Sequence, residues 1–358
     1  MSQKNISDWA TWSETLAQPE IWREWADKCD FAAHKTWIDQ QTFDEVWFCG
    51  AGTSAFIGDI IVAGLERERG TYALRSVATT DLVAQPQAFL SDRNPLVVSF
   101  GRSGNSSESI GTLEALDALA PNAPRLNITC NEGSTLATRQ NDATRVIVLP
   151  AETHDSGFAM TSSFSTMLLT ALMLFSAKGP NTTKLHNAAD GFDNVQATMQ
   201  NLIGPAPERA VFLGTGAMTF AAREAALKVM ELSAGRIPCL WDSVLGFRHG
   251  PKSFVTDQTE IVVFTSSEIP AVRYEADLIA ELRQQFPNVR VTSIGPDGDV
   301  DISHPDGSVW AAPNAILYAQ LAGCIWAHAM GLNVDNPFEG QGTLTRVVSG
   351  VQLYEVIR

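Results

Sequence analysis

Two serine- and glycine-rich segments of this chain could bind a phosphate group. GAGTSAF at 50–56 and SFGRSGNSSES at 99–109 each follow a short apolar run and precede a stretch that suits a helix. Hydroxyls beside the free amides of a helix N-terminus bind anions without any net positive charge. A structural glycine turn or serine N-cap is the alternative explanation for each segment. The candidate phosphate ligands are Gly52, Thr53, Ser54, Arg102, Ser103, Asn105 and Ser106.

A third segment, residues 224–252, carries side chains suited to proton transfer. Glu224, Lys228 and Glu231 follow an i, i+4, i+7 spacing, so they share one face of the predicted helix. Such spacing commonly marks a solvated stripe of salt bridges. Here the neighbours are apolar, and burial raises the pKa of a carboxyl toward the range of a proton shuttle. His249 lies in the polar loop RHGPK between two cations, a setting that favours contact with a ligand.

No metal site is expected from the sequence. The six histidines are isolated, and no HxxxH or HExxH spacing occurs. Glu152, His154 and Asp155 could ligate a metal, but a polar loop explains them better. A GxSxG elbow and a Walker lysine are both absent, so nothing supports the hydrolase or ATPase classes that use them.

Two similar α/β halves would position these groups. Strand-like segments recur with an offset close to 164 residues: VWFCG is echoed by VFLG, LVVSFG by IVVFTS, RLNITC by RVTSIG, and RVIVLP by SVWAAP. Their alternation with helical segments predicts parallel sheets covered by helices on both faces. We expect an N-terminal helical arm at 1–44, halves at 45–180 and 205–330, and a C-terminal tail at 331–358.

The predicted arm is rich in tryptophan. Trp9 and Trp12, and likewise Trp22 and Trp25, form i, i+3 pairs that predict short amphipathic helices, split near Pro19. Because the chain is acidic, these aromatic faces indicate core packing rather than a stacking platform for bases.

The net charge restricts the partners of the chain. Hydrophobic residues make up 45% of its 358 residues, which is typical of a globular protein, and the net charge of −15 disfavours nucleic acid and membrane surfaces. The five cysteines show no CxxC spacing, so reduced thiols are expected. The N-terminus lacks the basic start and apolar run of a signal peptide, which favours a cytoplasmic location.

At these segments the chain resembles the sugar isomerase (SIS) family, whose double-domain members include the isomerase part of glucosamine-6-phosphate synthase. It is most similar to tagatose-6-phosphate ketose/aldose isomerases, also assigned as galactosamine-6-phosphate deaminases, at GAGTSAFIGDII, SFGRSGNSSES, PAETHDSGFAMTSS, ALKVMEL and GFRHGPKS. The resemblance implies two tandem flavodoxin-like SIS domains, each a parallel five-stranded sheet flanked by helices. It also implies a small-molecule sugar-phosphate substrate, no cofactor, and a homodimer whose site is completed across the interface.

The resemblance assigns roles in phosphate binding to the first half. Ser54, Ser103 and Ser106 match phosphate-site positions of the family. Two positions depart from the synthase pattern, because Gly101 replaces a serine ligand and Arg102 replaces a glutamine. The phosphate is therefore expected to be held somewhat differently here.

The resemblance assigns the proton chemistry to the second half. Glu231 matches the base that moves a proton between C2 and C1, and Lys228 is the nearby lysine. His249 matches the ring-opening residue, which the neighbouring subunit supplies in the related synthase. Arg346 stands where the synthase pattern has a lysine. The two halves thus divide the work, with phosphate turns in one and acid–base groups in the other.

The implied reaction converts D-galactosamine 6-phosphate to D-tagatose 6-phosphate and ammonia, within the catabolism of N-acetylgalactosamine. One alternative keeps the fold and omits the deamination, as in a plain aldose/ketose phosphate isomerase or an amino-sugar deglycase. Another is a non-catalytic sugar-phosphate sensor, which the presence of both Glu231 and His249 disfavours.

Overall fold

The computed structural model describes residues 4–68, 72–91, 93–342 and 350–357, and within them the chain forms an α/β fold with two parallel sheets. The first sheet has the order β2-β1-β3-β4-β5 and the second the order β7-β6-β8-β9. The strands are β1 (Glu45–Gly50), β2 (Ala73–Ala78), β3 (Pro95–Gly101), β4 (Arg125–Thr129), β5 (Thr144–Val148), β6 (Arg209–Gly214), β7 (Cys239–Ser243), β8 (Thr259–Phe264) and β9 (Arg290–Ile294).

Helices flank both sheets. They are α1 (Ala10–Lys28), α2 (Phe31–Asp39), α3 (Thr53–Leu65), α4 (Thr79–Ala84), α5 (Pro86–Leu90), α6 (Ser107–Leu119), α7 (Thr135–Thr138), α8 (Ser162–Phe175), α9 (Thr183–Leu202), α10 (Ala217–Leu232), α11 (Ala271–Gln285) and α12 (Ser308–Ala329). Short 3-10 turns occur at Ile6–Asp8, Glu66–Glu68, Ala151–Thr153, Gly246–His249 and Pro251–Phe254. Within the described ranges, no helix is both long and apolar enough to cross a bilayer.

The central strands explain where a ligand can bind. Every residue of β3 and of β8 is buried, as expected for parallel strands that are covered on both faces. In the first sheet, β2 lies on one side of β1 and β3 lies on the other; in the second sheet, β7 and β8 flank β6 in the same way. The strand order therefore reverses between β1 and β3 and between β6 and β8, and these two places are the topological switch points. Loops beyond the carboxyl ends of such strands form the usual ligand crevice of doubly wound sheets.

Three of the four repeated segments form strands in both halves, whereas the fourth forms β5 in the first half and the start of a helix in the second. The pairs β1 and β6, β3 and β8, and β4 and β9 occupy equivalent places in the two sheets. The segment SVWAAP, however, begins α12 instead of forming a strand. The prediction of a fifth strand in the second half is therefore wrong, and the described second sheet has four strands. A short apolar run does not distinguish a buried strand from a buried helix, and α12 is buried along nearly its whole length.

The predicted break at Pro19 is also wrong, because α1 continues through it. A proline in a helix leaves the carbonyl four residues earlier without its amide partner. Here the side-chain amide of Gln18 donates to the carbonyl of Thr15 at 2.8 Å. This substitute hydrogen bond allows the helix to pass the proline.

The fold divides into two compact units. The β1–β5 unit comprises the described residues of Glu24–His154, Ser162–Thr182 and Arg346–Arg358, and the β6–β9 unit those of Met1–Arg23, Asp155–Thr161 and Thr183–Thr345. In the β6–β9 unit, Trp22 packs edge-on against Phe192 of α9 with ring centroids 5.7 Å apart. The first residues of the predicted arm therefore pack within the unit that holds the second sheet.

Candidate active site

The first serine-rich turn lies at the carboxyl end of β1. Gly52 has φ 55° and ψ −130°, a conformation that is rare for residues with a side chain, and the equivalent Gly216 of the second half has φ 59° and ψ −126°. A Cβ on Gly50 would lie 2.4 Å from the backbone of Ser54, so α3 begins directly against the strand end. These glycines bring the N-terminus of α3, with Thr53 and Ser54, to the edge of the sheet.

The second serine-rich turn follows β3 at the same sheet edge. Ser106 is the N-cap of α6, and its Oγ accepts a hydrogen bond from the amide of Ser109 at 3.2 Å. Asn105 Oδ1 accepts from the amide of Thr135 at 2.8 Å, which fixes the turn to the start of α7. A cap and a phosphate ligand are compatible roles, because a capping oxygen accepts while its hydroxyl hydrogen can donate. Ser103 is exposed and Arg102 half-buried in this turn.

Residues after β4 complete this turn, and the sequence interpretation missed them. Asn131 Nδ2 donates to the carbonyl of Ser103 at 3.2 Å. Gly104 has φ 62°, and a Cβ on it would lie 2.4 Å from Ser134 Oγ, so only glycine fits there. The polar run after the strand RLNIT, at the same predicted sheet edge, is the signal that could have identified Asn131 and Ser134.

A cavity opens beside the second turn. Its volume is about 370 Å³, and it lies beyond the carboxyl ends of β4 and β5. Asn131, Glu132 and His154 supply its polar lining. Since Asn131 also bonds to the Ser103 turn, the cavity adjoins the predicted phosphate ligands. The β1–β5 unit thus offers hydroxyls, helix amides and a space of ligand size at one sheet edge.

The predicted acid–base residues form an ion cluster on α10. The Nζ of Lys228 lies 2.5 Å from Glu231 Oε2 and 3.3 Å from Glu224 Oε1. Lys228 and Glu224 are fully buried, whereas the side chain of Glu231 remains 21% exposed. Glu231 is therefore the member of the cluster that a ligand can reach.

The charges of this cluster maintain the ammonium of Lys228. Burial alone lowers the pKa of Lys228, but the carboxylates of Glu224 and Glu231 outweigh it and hold that pKa above its ordinary value. Glu224 was recognised in the sequence as part of the charged face but not as a site residue. The structure shows that it contacts Lys228 directly.

His249 ends the 3-10 turn Gly246–His249 and is exposed. Its two neighbouring cations are bound elsewhere, since Arg248 donates to Glu281 of α11 at 2.9 Å and Lys252 pairs with the same carboxylate. These hydrogen bonds, led by that of Lys252, lower the pKa of the Glu281 carboxyl. The cations therefore anchor the His249 loop to α11.

The second sheet separates this turn from α10. Phe247 packs with Val211 of β6 and Leu278 of α11 in one core cluster. Phe220 of α10 instead contacts Trp241 of β7, with ring centroids 6.3 Å apart. Trp241 pairs with Phe212 of β6, so these two side chains lie on the same face of the sheet. Neighbouring residues of a strand point to opposite faces, so Val211 and Phe212 mark different sides. The His249 turn and the Glu231 helix thus pack on opposite faces of the sheet.

The remaining candidates divide into one structural residue and one outside the described part. Asp155 accepts hydrogen bonds from the amide and hydroxyl of Thr161, at 2.9 and 2.8 Å, and so closes its own loop. The described ranges contain no group of three His, Cys, Asp or Glu placed to hold a metal ion. Arg346 lies outside the described residues, and its role stays a prediction.

Known proteins are similar to this chain in sequence and in fold. The SIS domain family matches residues 44–177, which contain both serine-rich turns. D-galactosamine-6-phosphate deaminase AgaS of Escherichia coli is 40% identical over 324 residues, covering 85% of this chain and 84% of that protein. The chain belongs to the SIS family. The AgaS deaminase of Shewanella sp. (strain ANA-3) is 34% identical over 364 residues, covering 97% of this SIS protein and 92% of that one.

The similarity extends to the structure of the whole SIS chain. The crystal structure of tagatose-6-phosphate ketose/aldose isomerase from Escherichia coli matches with a TM-score of 0.86 at 35% identity. The match covers 99% of this SIS protein and 98% of that chain. Both sheets and their flanking helices are therefore shared with a solved relative.

Proposed function

We propose that this SIS protein converts D-galactosamine 6-phosphate and water to D-tagatose 6-phosphate and ammonia. The observation that carries the proposal is the cluster on α10, where a buried ammonium holds the partly exposed carboxylate of Glu231. A fixed carboxylate that solvent can reach is suited to moving a proton between adjacent carbons. The AgaS relatives, named as deaminases of this substrate, support the choice of reaction.

The proposed sequence begins with the pyranose form of the substrate. His249 moves a proton between the ring oxygen and O1, which opens the ring to the aldehyde. Glu231 then removes the proton from C2, giving an enolamine, and returns it to C1. The resulting imine at C2 is hydrolysed by water, with cleavage of the C–N bond and release of ammonia. Lys228 stabilises the negative charge that develops on O1 during enolisation.

The phosphate of the substrate is proposed to bind at the two serine-rich turns. Ser54, Ser103 and Ser106 would donate hydroxyl hydrogens, and the first amides of α3 would add hydrogen bonds along the helix dipole. Arg102 would supply a positive charge and Arg346 a second one. Because these contacts persist through the reaction, they mainly lower KM and orient the sugar.

A homodimer is proposed to complete the site. In one chain the second sheet lies between the His249 turn and the Glu231 helix, so the imidazole does not share a face with the carboxylate. A two-fold dimer would supply His249 of a second copy to Glu231 of the first, and the reverse. The exposure of His249 is what such an arrangement requires.

The wider organisation is proposed on the same basis. The two sheets would be two tandem SIS domains within 45–180 and 205–330, preceded by the arm at 1–44 and followed by the tail at 331–358. The enzyme would act in the cytoplasm in the catabolism of N-acetylgalactosamine. The equivalent switch points and the shared geometry of Gly52 and Gly216 support a duplicated unit.

A plain aldose/ketose isomerase is the second candidate, because the Escherichia coli structure is named for that activity. The two functions differ in one product. We would incubate the enzyme with galactosamine 6-phosphate, glucosamine 6-phosphate and galactose 6-phosphate, and measure ammonia and ketose in each. Ammonia from galactosamine 6-phosphate at the highest kcat/KM supports the deaminase. Isomerisation of galactose 6-phosphate without any ammonia from either amino sugar would establish the alternative.

A further inference from the structure

The switch point of the second sheet is already filled by a carboxylate of the chain. The carboxylate of Glu275 accepts hydrogen bonds from the amide and the hydroxyl of Ser266, both at 2.9 Å, and from the hydroxyl of Thr215. Thr215 follows β6 and Ser266 follows β8, as the two serine-rich turns follow β1 and β3. Glu275 is fully buried. It thus occupies hydrogen-bond donors that an anionic ligand would need.

A separate cavity lies beside this position in the β6–β9 unit. Its volume is about 240 Å³, the space of about eight water molecules. The loops after β8 and β9 and the first turns of α10 and α12 surround it. Six of its lining residues are apolar: Met218, Ile294, Pro296, Ile302, Ala311 and Ala315. Such a space is at the small end of ligand pockets and suits a molecule of monosaccharide size.

The polar lining of this cavity consists of four hydroxyl residues and one histidine, His304. Thr265, Ser267, Ser303 and Ser308 all contribute to it. The Oγ1 of Thr265 is buried and has no hydrogen-bond partner among the described residues. That oxygen is enclosed by the chain, whereas Ser267 and Ser303 of the lining are exposed and can be reached by a ligand. Ser308 opens α12, whose Gly307 N-cap provides no side-chain cap for the first amides.

Among the described residues, no lysine or arginine lines the cavity. Its histidine, His304, stacks on Trp310, and its Nδ1 accepts from the amide of Asp306 while Nε2 lies 3.0 Å from the Lys184 carbonyl. Burial lowers the pKa of His304, so the ring is neutral at neutral pH. The Oγ of Ser308 donates to the carboxylate of Glu268 at 2.8 Å, which places a negative charge beside the hydroxyls. The lining thus offers a phosphate no cationic side chain and has the Glu268 carboxylate beside it.

We propose that this cavity binds an uncharged monosaccharide at a site separate from the reaction at Glu231. The apolar lining would contact the carbon face of the sugar ring, and the hydroxyls of Ser267 and Ser303 would bond to its hydroxyl groups. The proposal does not depend on the identity of the reaction, because none of the acid–base residues lines the cavity.

The test uses the full-length enzyme and saturation-transfer NMR titrations with D-galactose, D-glucose and N-acetyl-D-galactosamine. Galactitol 6-phosphate, which has no aldehyde to react, is added in excess to occupy the phosphate-dependent site. Ser303→Leu places a bulky apolar group at the exposed rim of the cavity, and Ser7→Leu makes the same change at an exposed serine elsewhere in the unit. Circular dichroism and melting curves establish that both variants fold.

We expect at least one uncharged sugar to bind with galactitol 6-phosphate present. Its affinity should fall at least about tenfold in Ser303→Leu and stay unchanged in Ser7→Leu. The proposal is overturned if no sugar binds at about 10 mM, if galactitol 6-phosphate displaces the sugar, or if Ser303→Leu binds as tightly as the unmodified enzyme. None of these results would alter the ammonia assay, so failure here and failure of the deaminase assignment are distinguishable.

Discussion

Heterodimers that combine two inactive chains should regain activity. One chain carries Glu231→Gln and the other His249→Asn, and each variant alone should lose about 10²–10⁴ in kcat through loss of a proton-transfer group. The structural reason is that the His249 turn and α10 pack on opposite faces of the second sheet within one chain. The proposed shared site would pair Glu231 of one copy with His249 of the other.

The expected magnitude follows from counting sites in a two-fold dimer. The mixed heterodimer has one site with both native residues and one site with neither, so it should show about half of the unmodified activity. A random one-to-one mixture, in which about half of the dimers are mixed, should show about a quarter. Two affinity tags isolate the heterodimer from coexpressed chains, and ammonia release measures the activity.

A matched heterodimer gives the opposite result and serves as the control. It joins an unmodified chain to a chain with both Glu231→Gln and His249→Asn. If the site is shared, both of its sites lack one residue and it should be nearly inactive. The reasoning is refuted if this control retains half of the activity while the first heterodimer stays inactive, or if the active enzyme is a monomer by light scattering.

Further predictions concern the catalytic role of Glu231, the stability that Lys228 contributes, and phosphate binding at the turn of Gly52. Glu231→Gln should lower kcat by about 10²–10⁴ with little change in KM, and a raised KM with unchanged kcat would indicate a binding role instead. Lys228→Met should lower the free energy of unfolding by about 3–5 kcal/mol in urea titrations, because it leaves Glu224 buried without its cation; a loss below about 1 kcal/mol would contradict the cluster's importance. The pKa of Lys228 is raised in the folded protein, so Lys228 should contribute fully to the free energy of unfolding below its ordinary pKa of 10.5. That contribution should be lost only as the pH rises through the folded pKa. Urea unfolding between pH 8 and 11 measures it. Gly52→Ala and Gly216→Ala should each cost about 1–3 kcal/mol in stability, but only Gly52→Ala should raise KM; equal KM effects would argue against phosphate binding at the first turn.

Local patterns were sufficient to predict much of the fold and the charged cluster. The 164-residue repeat identified strands that occupy equivalent places in both sheets, and glycine after the first strand of each half marked the same turn. The spacing of Glu224, Lys228 and Glu231 placed them on one helix face, where the structure shows them in contact. These features depend on residues close in sequence, which periodicity and turn chemistry describe well.

Contacts between distant residues could not be predicted in this way. Glu281 lies about thirty positions from the two cations that it binds, so the anchoring role of Arg248 and Lys252 is invisible in the segment RHGPK. The replacement hydrogen bond from Gln18 to Thr15 likewise depends on a rotamer that no propensity specifies. For SVWAAP, burial along α12 decided between helix and strand, and burial depends on the rest of the fold.

The most direct test of the proposed function measures both products of one reaction. The enzyme and its Glu231→Gln variant are incubated with galactosamine 6-phosphate, and ammonia and tagatose 6-phosphate are quantified from the same samples over time. The proposed function predicts equal molar amounts of the two products from the unmodified enzyme and a loss of about 10²–10⁴ in both rates for the variant. Ketose formation without ammonia, or equal rates for the two proteins, would contradict it.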